Sequence, residues 1–118
     1  MLTFASTQPI RFVQAERVGR RVGLLDENLA AFLGISPKTY SRRRRTGKLD
    51  TAESLRLEML EKMYTLSFEV LGDEDRAKRW LTQPLTGLDS RAPLELLTSI
   101  QGYETVRNSL YRQAYGMF

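Results

Sequence analysis

Apolar residues recur at three- and four-residue spacing along most of the chain, the period of helices with one buried face. Over residues 10–22, Phe12, Val13 and Val18 alternate with Arg and Gln, predicting a weakly patterned first helix closed by Gly23. Asp26 is placed to cap a short helix over 26–33, in which Leu29, Ala30 and Leu33 repeat at helical spacing. Gly34 closes that helix and Ile35 turns inward. Ser36-Pro37 then opens a third helix that runs to about Arg45 and stops near Gly47, because serine can hold free N–H groups and proline lacks a donor only where none is needed. Thr51 caps a long fourth helix reaching Gly72, with Ala52, Leu55, Met59, Leu60, Met63, Leu66 and Val70 on one stripe. Asp73 caps a fifth helix to about Leu81, and residues 82–92, with Pro84 and Gly87, read as irregular. Pro93 opens a short helix over 94–99, and Gly102 introduces the last, over 103–115. No alternation of period two stands beside these signals, so the expected class is all-α.

Composition changes the picture mainly by exclusion. A 118-residue chain with 42% hydrophobic residues can build a folded core, which sets extended disorder aside. It has no cysteine and no histidine, which removes thiol nucleophiles, histidine-based triads and the usual zinc sites. No spacing suggests carboxylate or Ser/Lys chemistry, so no catalytic residue, metal or cofactor is expected and the chain reads as a non-enzyme. No apolar run approaches the ~18–20 residues of a membrane span. Residues 1–10 lack the order of a secretory leader, and a cytoplasmic protein is the expectation.

Charge adds an asymmetry. Residues 1–50 hold ten Lys/Arg against four acids, a surplus of six, whereas residues 51–118 carry a net −2. A basic half beside a faintly acidic one points to a polyanion for the first and a different partner for the second. Residues 26–45 also have the layout of a helix-turn-helix, with a tight Gly34-Ile35-Ser36 turn between two helices. On the second of these, Lys38, Ser41, Arg42 and Arg45 fall at i, i+3, i+4 and i+7, on one face. Arginine there can donate paired hydrogen bonds to guanine, and any cation can hold phosphate. The candidate DNA-binding residues are Ser36, Lys38, Thr39, Ser41, Arg42, Arg43, Arg45 and Lys48. A run of four arginines cannot all face one groove, so Arg43 and Arg44 stay open between backbone contacts and internal ion pairs. Tyr40 lies on the opposite side, directed at Leu29, Leu33 and Ile35.

Downstream, Ala77, Trp80-Leu81, Gln83-Pro84, Leu88, Pro93, Leu96-Leu97, Gly102, Val106, Leu110 and Tyr115-Gly116 form a pattern of their own. It resembles the Xre/MbcA/ParS antitoxin family, with its A-xx-W-L stretch, proline loop, P-xx-L-L helix and closing G-xxx-V-xxx-L-xxxx-G helix. The stretch from Gly34 to Arg43, with Gly47 and Leu49, is similar to that family's Xre-like helix-turn-helix. The resemblance covers roughly residues 24–118. It departs at Thr86 to Arg91, where the family often carries a Gly-Gly pair, and at Leu85, where asparagine is frequent after the proline.

The resemblance implies a helix-turn-helix module over 1–50, a connecting or dimerising helix over 51–71, and a small helical toxin-binding module over 72–118. It implies a homodimer that binds operator DNA of its own operon and a cognate toxin of the RES fold, a class that depletes NAD. It also implies that the last residues approach the toxin's active-site cleft. Trp80, Leu81, Leu96, Leu97, Val106 and Leu110 read as core, and Pro84 and Pro93 as loop-shaping. The candidate toxin-binding residues are Tyr111, Arg112, Tyr115, Gly116, Met117 and Phe118, because exposed aromatics at a chain end need an external partner. The terminal Phe118 either plugs a cleft or folds back on the last helix. Two competing readings remain: a plain transcriptional repressor whose C-terminal module dimerises or binds a small ligand, and a protein-binding inhibitor that no longer binds DNA.

Overall fold

The structure, a computed structural model, describes residues 9–116, and the chain divides into two compact units, Met1–Glu58 and Met59–Phe118. Seven α-helices, one 3-10 turn and two isolated antiparallel bridges make up the regular structure among the described residues. The all-α expectation holds.

In the first unit, α1 (Phe12–Val22), α2 (Asp26–Leu33), α3 (Pro37–Thr46) and the start of α4 (Thr51–Leu71) enclose Phe12, Ala15, Val18, Val22, Leu29, Phe32, Leu33, Tyr40, Leu49 and Leu57. α1 ends where Gly23 takes a left-handed φ of 87°. Gly19, one turn earlier, is buried and must be glycine, because a Cβ there would meet the Leu24 carbonyl oxygen at 2.5 Å. At the start of α2 the sequence expectation fails. Leu25 is the N-cap and Asp26 is the first helical residue, since its carboxylate turns away from the helix end to accept from Tyr40 and Arg44. The next junction is as expected: Ser36 Oγ accepts from the Thr39 N–H at 3.1 Å, and Pro37 follows in the first turn. After α3 the chain passes antiparallel to the residues before α1. The Phe12 N–H donates to the Gly47 carbonyl at 2.8 Å and the Leu49 N–H to the Ile10 carbonyl at 2.9 Å.

In the second unit, the rest of α4 joins α5 (Glu74–Thr82), the 3-10 turn Thr86–Leu88, α6 (Pro93–Leu96) and α7 (Ile100–Tyr115). Its core holds Met59, Leu60, Met63, Tyr64, Trp80, Leu81, Leu88, Leu97, Tyr103, Val106 and Leu110. Asp73 caps α5 through the Arg76 N–H at 2.9 Å. The loop after α5 is more ordered than its composition suggests, because Leu85 and Arg91 pair across it and Asp89 and Ser90 take positive φ to close the turn. α7 begins before Gly102, at a cap formed by Ser99, whose Oγ accepts from the Gly102 N–H at 3.0 Å. Gly102 therefore sits inside the helix, where the Leu96 carbonyl leaves no room for a Cβ.

The single apolar stripe drawn on α4 also needs revision. Leu57, Met59, Leu60, Met63, Tyr64 and Ser67 are buried, Leu55, Leu66 and Val70 are half-buried, and Ala52 is exposed. The boundary between the two units falls inside this helix, so each of its parts buries what its own unit requires.

Candidate functional site

Helix α3 sorts its arginines by partner. Arg43 turns inward and grips Glu53, with Nε to Oε1 at 2.8 Å and Nη2 to Oε2 at 3.0 Å, and it also reaches Asp50 at 3.5 Å. Arg44 lies 3.0 Å from Asp26 and 3.8 Å from Glu16, with its guanidinium carbon 5.6 Å from the Phe12 ring centre and 5.4 Å from that of Tyr40. Those two rings meet edge-on at 5.0 Å. Four of the six acids between residues 9 and 58 are thus engaged by two arginines whose work is internal. Among the described residues, Arg43 is the one cation predicted to meet DNA whose head group is already paired with carboxylates.

What remains is uncompensated positive charge. Lys38, Arg42, Arg45 and Lys48 are exposed and none forms an ion pair among the described residues. Ser41 is exposed beside them, so the predicted i, i+3, i+4, i+7 face points to solvent. Ser36 and Thr39 stand at the helix start, hydrogen-bonded to each other through their hydroxyls at 3.2 Å. Such a face can approach a polyanion without first breaking an internal pair.

The Glu53 carboxyl is 5% exposed, and burial alone would oppose its ionisation. The Arg43 hydrogen bond and the Asp50 N–H outweigh that penalty and hold its pKa below the ordinary carboxylate value. Reciprocally, the bond to Glu53 raises the pKa of Arg43 further. Arg56 is a comparable device that sequence patterning does not disclose: its Nη1 donates to the Phe32 carbonyl at 3.2 Å and so satisfies the end of α2.

In the second unit, Tyr111 and Tyr115 stack at 5.9 Å between ring centres on the last turns of α7, with Tyr115 63% exposed. Arg112 and Gly116 are exposed alongside them. Met117 and Phe118 lie outside the described residues. Trp80, read as core, is buried, yet its Nε1 donates to Gln113 Oε1 at 2.6 Å and the pair borders a cavity of about 480 Å³. Arg76, Arg79, Gln83, Pro84, Leu71 and Leu85 complete its lining. Sequence reasoning misses this groove because its residues come from three separated stretches; the spacing of Arg76 and Arg79 on one face of α5 is the only local signal.

Among the described residues, no cluster of acidic side chains is arranged to hold a metal ion, and no helix is long and apolar enough to cross a membrane. Two family models match the chain. Residues 14–61 match the antitoxin Xre-like helix-turn-helix domain, and residues 67–116 match the antitoxin Xre/MbcA/ParS C-terminal toxin-binding domain. No curated protein matches the chain.

Proposed function

Because the chain belongs to the Xre/MbcA/ParS antitoxins, with a DNA-binding helix-turn-helix and a toxin-binding domain in one polypeptide, we propose that it neutralises a RES-type, NAD-depleting toxin and represses its own operon. The observation that carries this reading is the pairing, on one chain, of an uncompensated cationic face on α3 with a toxin-binding domain over 67–116. Neutralisation proceeds by occlusion. Exposed apolar and aromatic surface at the end of α7 docks on the toxin, with Tyr111 and Tyr115 as anchors and Arg112 beside them. Gly116, Met117 and Phe118 belong to the same toxin-binding set. The antitoxin performs no bond chemistry in this scheme.

Repression uses the other unit. Lys38, Ser41, Arg42 and Arg45 enter the major groove, where arginines meet guanine edges or phosphates. Ser36 and Thr39 preserve the start of α3, Lys48 holds phosphate, and Arg43 acts indirectly by fixing α3 against Glu53. A homodimer, with α4 as its seam, would set two such helices about 34 Å apart on a palindromic operator. Operator DNA and NAD are both met in the cytoplasm, which is the proposed location.

Co-expression with the product of the adjacent gene, size-exclusion chromatography and an NAD assay test the proposal together. A co-eluting complex in which NAD is preserved is the expected result. No complex, with DNA binding intact, would make the chain a plain repressor.

A further inference from the structure

The antiparallel bridge between the segment before α1 and the one after α3 pairs Arg11 with Lys48. The flanking hydrogen bonds, Phe12 to Gly47 and Leu49 to Ile10, make Arg11 and Lys48 a non-hydrogen-bonded pair. In that arrangement the two side chains leave the same face of the ribbon, with Cβ atoms about 4.5–5.5 Å apart. Like charges directly opposite each other destabilise a pair of strands. Among the described residues, no carboxylate offsets the repulsion. Both residues are exposed, and neither forms an ion pair with any carboxylate among the described residues. Asp50, two residues from Lys48, is engaged by Arg43, and Glu16, on α1, by Arg44. The first turn of α1 contains no acid, so the positive end of that 11-residue helix adds to the local field.

Two cations held side by side by backbone bonds, with the local acids directed elsewhere, are the ingredients of an anion site. We propose that Arg11 and Lys48 form a clamp for one backbone phosphate of bound DNA, at the C-terminal end of α3. The clamp rests on the DNA-binding reading of that helix. It sits one residue beyond the Gly47 cap, and the proposal runs a phosphate strand of the duplex met by Lys38, Arg42 and Arg45 past it. The shared phosphate replaces the repulsion between the two side chains with attraction to both. Backbone phosphates are present at every sequence, so the clamp contributes grip and register and leaves base selection to α3.

The test measures binding of a fluorescein-labelled DNA duplex of arbitrary sequence against salt, for the full chain and for Arg11→Gln, Lys48→Gln, the double variant and Arg42→Ala. Abolishing the grip on one phosphate lowers the log–log salt slope by ~0.9. The clamp predicts that the double variant has a slope smaller by ~0.9, for one shared phosphate, and that the effects of the two single substitutions do not add. It also predicts that, without DNA and at low salt, either single substitution raises the melting temperature by relieving repulsion. An unchanged slope in the double variant, with a reduced slope in Arg42→Ala, overturns the clamp and spares α3. A slope smaller by ~1.8 in the double variant overturns it in favour of two independently held phosphates. A lowered melting temperature in the single variants overturns it in favour of a structural pair. Wild-type protein that binds no duplex, even at low salt, overturns the DNA-binding reading and the clamp together.

Discussion

Glu53 decides which arginines of the 42–45 run are available to a ligand. Its buried carboxylate holds Arg43 by two hydrogen bonds, and Glu53→Gln would leave that guanidinium only the longer contact to Asp50, at 3.5 Å, as counter-charge. Removing a charged, largely buried hydrogen bond of this kind costs about 2–3 kcal/mol, and a urea titration should show that destabilisation in the first unit. The same pair sets an acid limit. Glu53 titrates below its ordinary value of 4.5 in the folded chain, so its contribution to stability is present above that pH. It is lost as pH falls toward the folded pKa. Tyr40 and Tyr103 act at the other end: burial, aided for Tyr40 by Asp26, raises both above the ordinary 10.0. Their contribution is complete below that value and disappears as pH rises through the folded pKa. Thermal midpoints measured against pH should therefore fall on both flanks, and Glu53→Gln should remove much of the acid dependence. The cationic character of residues 42–45 is plain in the sequence. The sorting is not, because Glu53 and Asp26 lie ten or more residues from the arginines they bind, and pairing at that range depends on how helices cross.

At the level of elements, local chemistry was legible wherever a cap or a glycine acts on its own neighbours. Ser36, Pro37, Gly47 and Asp73 end or begin helices as their residue types predict. Ser36→Ala removes the hydrogen bond to the Thr39 N–H and should cost about 1 kcal/mol, read as a lower urea midpoint with helix content retained. Boundaries depart from the local signal where a tertiary contact outweighs it. Asp26 is a competent cap by type but is drawn to Arg44 and Tyr40. Gly102 reads as the residue that introduces the last helix, yet it is there because α7 passes against the Leu96 carbonyl. Gly102→Ala should thus destabilise the second unit by about 1–3 kcal/mol despite alanine's better helix propensity, whereas a role as a simple helix start would leave it neutral. The burial along α4 departs from a single stripe for a related reason. Period alone cannot report that one helix supplies two compact units.

Over the whole molecule, the division of charge is legible in the sequence: the basic surplus lies in the first 50 residues, and the structure leaves Lys38, Arg42 and Arg45 exposed on α3. The candidate toxin-binding surface was partly legible. Aromatics near the end of α7 mark Tyr111, half-buried in the structure, and Tyr115, exposed, but the groove beside Trp80 needs residues that only folding brings together. The central claim is that the two units carry separable tasks. It is tested most directly by assaying duplex binding and NAD preservation in cells for two variants, Arg42→Ala/Arg45→Ala and a chain ending at Ala114. The account predicts that the arginine variant binds DNA weakly, with a salt slope smaller by up to ~1.8, while still preserving NAD. The shortened chain should do the reverse. A shortened chain that preserves NAD as well as the full chain, or an arginine variant that binds DNA with an unchanged salt slope, would contradict it.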